Sequence, residues 1–289
     1  MTIYEIITNK FIEQLEKGIV PWQKPWSVGS YNAKEVAISY TTRKPYSLLN
    51  QMLLGWRAGE YLTFKQIQDL KGSVKKGAKS QMVVFYTPIK VTEKDKVTNE
   101  EIEKTIPCLK YYNVFHIEDT NGIQSKIENS NETEDTKVNP IESADNLIQG
   151  YLSREKTLTF INDKISDSAY FSPLQDLVNV PCIKQYKVVE EYYSTAFHEF
   201  THSTLVEKRC NRKCGKKFGD EEYSKEELVA EIGSAMLCSI CGIDNTKVFN
   251  NSVAYVQSWL RKLRNDSKLI VIASAQAEKA VKYIANLQD

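Results

Sequence analysis

Tyr193-Ser194-Thr195-Ala196-Phe197-His198-Glu199-Phe200-Thr201-His202 is the stretch that decides how this chain is read. It continues to Val206 with helical periodicity, and a spacing of four residues brings His198 and His202 onto one face, one turn apart. Two imidazoles placed this way can grip one divalent ion. Glu199 then stands beside the ion as general base, accepting a proton from a water that bound zinc acidifies to a pKa of ~7. The chain has only 3 histidines, so two of them falling into this spacing argues against an ordinary polar helix face.

A catalytic metal also needs a third protein ligand and an open position. The following helix, over Ser224 to Cys241, offers Glu227 and Glu231, four residues apart on one face. We assign Glu227 to the metal and Glu231 to the support of a ligating imidazole, with Glu231 as the alternative ligand. Ser224 and Glu227 also match the S-x-x-E capping box of a helix N-terminus, which would give Glu227 a structural role instead. Cys210, Cys214, Cys238 and Cys241 raise a second zinc cluster. Against it, Cys238 and Cys241 lie in the apolar helix end Met236-Leu237-Cys238-Ser239-Ile240-Cys241, where buried free thiols are common. The expected cofactor is one zinc ion, with manganese as the alternative transition metal.

Outward from this centre, strands are expected over residues 157–161, 169–171 and 176–181, before helices at 188–206, 224–241, 248–264 and 270–287. A small sheet followed by helices indicates an α+β fold. In the first part of the chain, Ile3, Ile6, Ile7, Phe11, Ile12 and Leu15 form the stripe of an amphipathic helix that Gly18 ends. Pro21-Trp22-Gln23-Lys24-Pro25-Trp26 is extended, since its prolines forbid a regular helix. Residues 47–55 and a start at Thr63 read as further helices, and residues 81–86 and 109–116 as strands. Residues 121–142 are polar and acidic and read as a linker. The expected division is 1–120, a linker at 121–145, and 146–289.

The N-terminus lacks the basic-then-apolar pattern of a secretory signal, and no apolar run approaches the ~18–20 residues that span a bilayer. The expected setting is the cytoplasm, with the 6 cysteines reduced. The net charge of +1 conceals an asymmetry: residues 1–90 carry 13 Lys/Arg against 6 Asp/Glu, while residues 91–150 carry 6 against 13. The basic block also holds Trp22, Trp26, Tyr31, Tyr40, Tyr46 and Trp56. Flat side chains on which bases stack, interleaved with cations for phosphates, suit single-stranded DNA. Lys24, Arg43, Lys44, Lys75, Lys76 and Lys79 are the candidate phosphate contacts, with Trp22 and Trp26 as stacking platforms. The plain alternative is that the tryptophans close a core and the lysines form a solvated face.

Several motifs in order resemble the ArdC-type antirestriction proteins of plasmids and phages: Pro21 to Trp26, Tyr46-Ser47-Leu48-Leu49-Asn50, Leu62-Thr63-Phe64-Lys65-Gln66, Val74 to Lys79, Tyr111 to His116, Tyr192 to Glu199 and Glu226 to Glu231. The resemblance covers most of the chain. It implies two domains, an N-terminal α+β domain that binds single-stranded DNA and a C-terminal zincin-like metallopeptidase domain, together protecting incoming DNA from restriction. The segment Arg209 to Lys216 is richer in cysteine than that pattern, and the linker at Glu128 to Asp135 more acidic. A metalloprotease acting on a host regulatory protein, with DNA binding accessory, is the competing function. A binding protein whose metal only staples helices is a third.

Overall fold

Helix α1 (Ile3–Glu16) forms where the apolar stripe predicts it, started by a reciprocal capping box between Thr2 and Glu5. The protein is described by a computed structural model covering residues 1–23, 36–94, 101–127, 139–212, 221–244 and 253–287. The N-terminal half continues with β1 (Ala37–Ser39), α2 (Leu48–Leu53), β2 (Gly59–Thr63), α3 (Phe64–Asp69) and β3 (Ser73–Val74). Then come β4 (Gln81–Lys94), β5 (Glu101–His116) and β6 (Thr120–Asn121). A four-stranded sheet runs in the order β1-β2-β5-β4, with β1 parallel to β2 and the other pairs antiparallel. A small ribbon pairs β3 with β6.

The hairpin of β4 and β5 is far longer than the two short strands read from residues 81–86 and 109–116. Pro88 and Pro107, which look like strand breakers, stand opposite each other in register. They lie beyond the end of β2, where β5 has β4 as its one partner and a missing N–H disturbs a single ladder.

The C-terminal half begins with α4 (Pro140–Arg154), which starts inside the stretch read as linker. Asn139 caps it and Pro140 occupies its first turn, where a proline costs no hydrogen bond. A three-stranded sheet follows, with β7 (Thr159–Ile161), β8 (Tyr170–Ser172) and β9 (Leu177–Asn179) in the order β7-β9-β8. The remaining helices are α5 (Val189–Ser203), α6 (Glu221–Cys241), α7 (Val253–Asn265) and α8 (Leu269–Ala285). Because α6 starts at Glu221, Ser224 and Glu227 lie inside the helix and the capping-box alternative falls away.

One apolar cluster crosses both halves, joining Ile7, Phe11 and Trp22 to Phe197, Leu237, Trp259 and Ile270. Polar ties reinforce it: the Thr8 hydroxyl donates to the Ser267 carbonyl at 2.7 Å, Arg264 pairs with Glu16 at 2.6 Å, and the Leu48 N–H donates to Glu278 at 2.9 Å. The turn after α5 is anchored by Arg209, whose fully buried side chain reaches Glu155 and Asp176, each at 2.7 Å. Among the described residues no helix is long and apolar enough to cross a membrane.

Helices α5 and α6 approach each other closely. A Cβ added at Gly233 would come within 2.6 Å of the Thr201 side chain, and the neighbouring Ser234 hydroxyl donates to the Ser194 carbonyl at 2.7 Å. Gly233→Ala must therefore push the helices apart. We expect a loss of ~1–3 kcal/mol in denaturant unfolding, the usual range for overpacking a core. An unchanged midpoint would show that Thr201 yields freely.

Candidate metal centre

The amphipathic character of α5 aims the site. Its apolar side, with Tyr193, Ala196, Phe197 and Phe200, is buried, and Phe200 packs at 4.9 Å from Phe160 and edge-on at 5.6 Å from Tyr151. That leaves His198 and His202 facing α6. Their Nε2 atoms are 3.1 Å apart. Glu227 on α6 stands 3.7 Å from His198 Nε2 and 3.6 Å from His202 Nε2. Two ligands each ~2.0–2.1 Å from a tetrahedral zinc lie about 3.3 Å apart, so these three donors fit one ion between them. Among the described residues they form the one group of at least three metal-capable side chains whose ligand atoms converge, all within 4.8 Å of one another.

The support behind the ligands differs from the sequence expectation. The carboxylate on the far nitrogen of His202 is Glu226, 3.1 Å from Nδ1. Arg212 fastens Glu226 in turn with bonds of 2.6 and 2.9 Å, and also bonds the Thr204 hydroxyl and the Thr201 carbonyl. Glu231, the residue given this task from sequence, instead accepts from the Tyr255 hydroxyl at 3.2 Å, and that hydroxyl lies 3.3 Å from the Trp22 indole nitrogen. Glu226 was legible only as the residue before Glu227. Its partner Arg212 lies fourteen positions upstream, in a turn that no periodicity marks.

The electrostatics follow from burial set against charge. Burial pushes the His198 imidazole down, but Glu227, Glu231 and Glu199 outweigh it and hold it up at about 9. Burial pushes Glu227 up, and the two imidazoles bring it down to about 2. Burial raises Glu199, with His198 and His202 opposing, so its carboxylate is more basic than an exposed one and better suited to take a proton. The backbone of Phe171 on β8, the edge strand that lies against α5, also opposes that rise. A cleft of about 840 Å³ opens from Glu227 and Glu231 toward α7.

Among the described residues no cysteine joins this centre. Cys210, Cys238 and Cys241 are buried, and burial raises all three thiols, Cys241 to about 12. Cys214 lies outside the described residues, as do Lys24, Trp26, Tyr31 and the acidic run at 128–135.

Among the DNA-contact candidates, Trp22 is corrected. It is 1% exposed, with both faces inside the core shared by the two halves, so no base can stack on it. Tyr40, Tyr46 and Trp56 are buried as well, and the Trp56 indole donates to the Pro21 carbonyl. Arg43 is committed to the fully buried Glu60 carboxylate. Lys44, Lys75, Lys76 and Lys79 are exposed. Aromatic rings in the open lie elsewhere, at Phe85, Tyr86, Tyr111 and Tyr112 on the long hairpin.

This fold and donor set define a zincin-like metallopeptidase domain, and residues 152–276 match the family model of that description. Residues 1–115 match the N-terminal domain of the anti-restriction factor ArdC. The chain belongs to the ArdC family of antirestriction proteins. It is similar over its whole length, and over all of theirs, to two crystal structures of ArdC from plasmid R388. One is metal-free, with 30% identity and a TM-score of 0.69; the other is Mn(II)-bound, with 29% and 0.70. It is also 29% identical over 298 residues to the DNA primase TraC of Escherichia coli, a match covering 97% of this chain and 20% of that protein. The chain thus spans about a fifth of that curated relative.

Two outcomes are expected. Glu226→Gln keeps the ligands but weakens the hold on His202, and should lower divalent-metal affinity by ~10–100-fold in titration calorimetry. Because His198 sits near 9 before metal arrives, binding must displace its proton, whereas Glu227 is already ionised. Apparent affinity should therefore climb about tenfold per pH unit until pH reaches about 9 and then level off. A flat profile over that range would contradict the assignment.

Proposed function

We propose that the protein protects incoming DNA from restriction by binding it single-stranded, and that its second half is a metal-dependent peptidase acting in the recipient's cytoplasm. In this reading residues 1–120 form the DNA-binding part and residues 146–289 the metallopeptidase part. The observation that carries it is the convergence of His198, His202 and Glu227 beside the buried base Glu199, in a chain whose other half is the ArdC N-terminal domain.

The ion is most simply zinc, since two imidazoles and one carboxylate are a known catalytic zinc set, and the Mn(II)-bound relative supports a divalent ion in this fold. When bound, it polarises the scissile carbonyl and acidifies the attacking water. Glu199 takes the proton of that water and returns it to the departing amine. Glu226 and Arg212 keep the His202 ring oriented, and β8 offers an open sheet edge on which an extended peptide can pair.

For DNA, the hairpin replaces Trp22 as the stacking platform. Phe85 and Tyr112 are exposed on one face with ring centres 5.8 Å apart, and the exposed Lys110 stands opposite Phe85 in register. Tyr46 approaches Phe85 at 6.1 Å, next to the exposed Lys44. Lys75, Lys76 and Lys79 precede β4 and extend the positive surface. Stacking on such rings contributes ~1–3 kcal/mol per base and reads no sequence.

The alternative reading, a metalloprotease directed at a host regulatory protein with DNA binding accessory, draws on the same cleft. Two variants separate them. Phe85→Ala with Tyr112→Ala should cut single-stranded DNA affinity by at least about tenfold in a gel shift while sparing metal binding. Glu199→Gln should retain metal and DNA binding and lose all proteolysis. If protection of DNA vanishes with Glu199→Gln and survives the hairpin variant, the protease reading replaces ours.

A further inference from the structure

The cleft beside Glu227 and Glu231 has a second wall, α7, and that wall is basic. Tyr255, Trp259, Arg261 and Lys262 line it. Lys262 lies over the Trp259 indole, its ammonium 4.1 Å from the ring centre. Trp259 is itself buried and meets Trp22 edge-on at 5.8 Å, so the lysine rests on a fixed support. A cation held against an indole keeps its stem dry and its charge in one place. Among the described residues no carboxylate lies within ion-pair distance of Lys262. Burial lowers its pKa, with Glu227 and Glu231 pulling the other way from across the cleft.

Those opposing carboxylates are spoken for. Glu227 belongs to the metal, Glu231 accepts from Tyr255, and Asp266 at the far rim accepts the Lys268 N–H at 2.8 Å. The positive pair at Arg261 and Lys262 therefore stays open to a ligand in the space that Glu227 also lines. A cleft of this size holds several groups of an extended ligand. A nucleic-acid strand laid along it would bring a phosphate to each of the three acids in turn. A peptide needs to bring one carboxylate.

We infer that Lys262, with Arg261, forms a carboxylate-binding subsite of the peptidase cleft, so the preferred peptide carries an acidic side chain or a free C-terminal carboxylate close to the scissile bond. The inference rests on the peptidase reading above. A charge-assisted hydrogen bond across a partly dry cleft is the kind of contact that separates an acid from its isosteric amide.

Binding to the metal-loaded Glu199→Gln protein tests it without turnover. Fluorescent hexapeptides with one central Asp or Glu are compared by anisotropy with their Asn or Gln counterparts, and neutral peptides with free against amidated C-termini. One acidic arm should bind about tenfold more tightly than its amide partner, the scale of a hydrogen bond to a charged group. The arm that responds identifies whether the carboxylate is a side chain or a terminus. Lys262→Gln with Arg261→Gln should erase that preference and leave metal affinity unchanged. Equal binding of acid and amide in both arms, or a preference that survives the double variant, overturns the proposal. So does displacement of the peptide by a short oligonucleotide that the double variant no longer binds. If acidic peptides bind selectively but wild-type protein never cleaves them, the peptidase reading fails and the subsite stands.

Discussion

Two helices lie so close at Gly233 and Thr201 that no side chain fits between them, and the geometry of the metal centre depends on that contact. Helix α5 carries both imidazoles, and α6 carries the carboxylate that must meet them. A separation larger by even a methyl group would move Glu227 off the point where His198 and His202 converge. Around the contact, the bond from Ser234 to Ser194 fixes the sliding of the helices, and the buried pair of Arg212 and Glu226 fixes their far ends. The pair also orients His202, so one charge network serves the helix packing and the chemistry. Removing either partner would leave an unpaired charge in the interior, which costs far more than the pair itself contributes.

The same economy joins the two halves of the chain. Trp22 comes from the N-terminal half, yet its ring sits against Trp259 and its indole nitrogen lies at the Tyr255 hydroxyl that holds Glu231. The wall of the cleft beside Glu227 is thus braced by a residue more than two hundred positions away. Two recognisable family domains here share a continuous apolar core. A packed interior has little freedom to absorb a displacement, so the two halves are held to one another through this core.

The aromatic residues show where composition misleads. Pairing tryptophans with lysines in residues 1–90 correctly draws attention to that half, but most of those rings are core. A tryptophan flanked by prolines can lie on a surface or plug a core, and local sequence does not distinguish the two. Among the rings that remain open, Phe85, Tyr86, Tyr111 and Tyr112 stand together on the long hairpin of β4 and β5. All four lie inside the strands read at 81–86 and 109–116, but Phe85 and Tyr86, like Tyr111 and Tyr112, are neighbours that point to opposite faces, and alternation assigns one face of a strand to the core. Helix α4 was missed for a related reason, since its first turns fall within a polar, acidic run.

By itself the sequence placed the two imidazoles one turn apart with Glu199 beside them and picked out Glu227, the carboxylate that the structure brings to both rings, because these rest on helical periodicity, which is local and fixed. It also determined the α+β class and most helices of the second half, through their apolar stripes. Only the tertiary structure decided which acid supports His202, which aromatic rings face solvent, and that a basic wall stands across the cleft from the ligands. Each of those is a contact between segments far apart in the chain. Whether such segments meet is set by how whole faces pack and by how close one glycine lets two helices come, and neither is written in the spacing of residues along a single element.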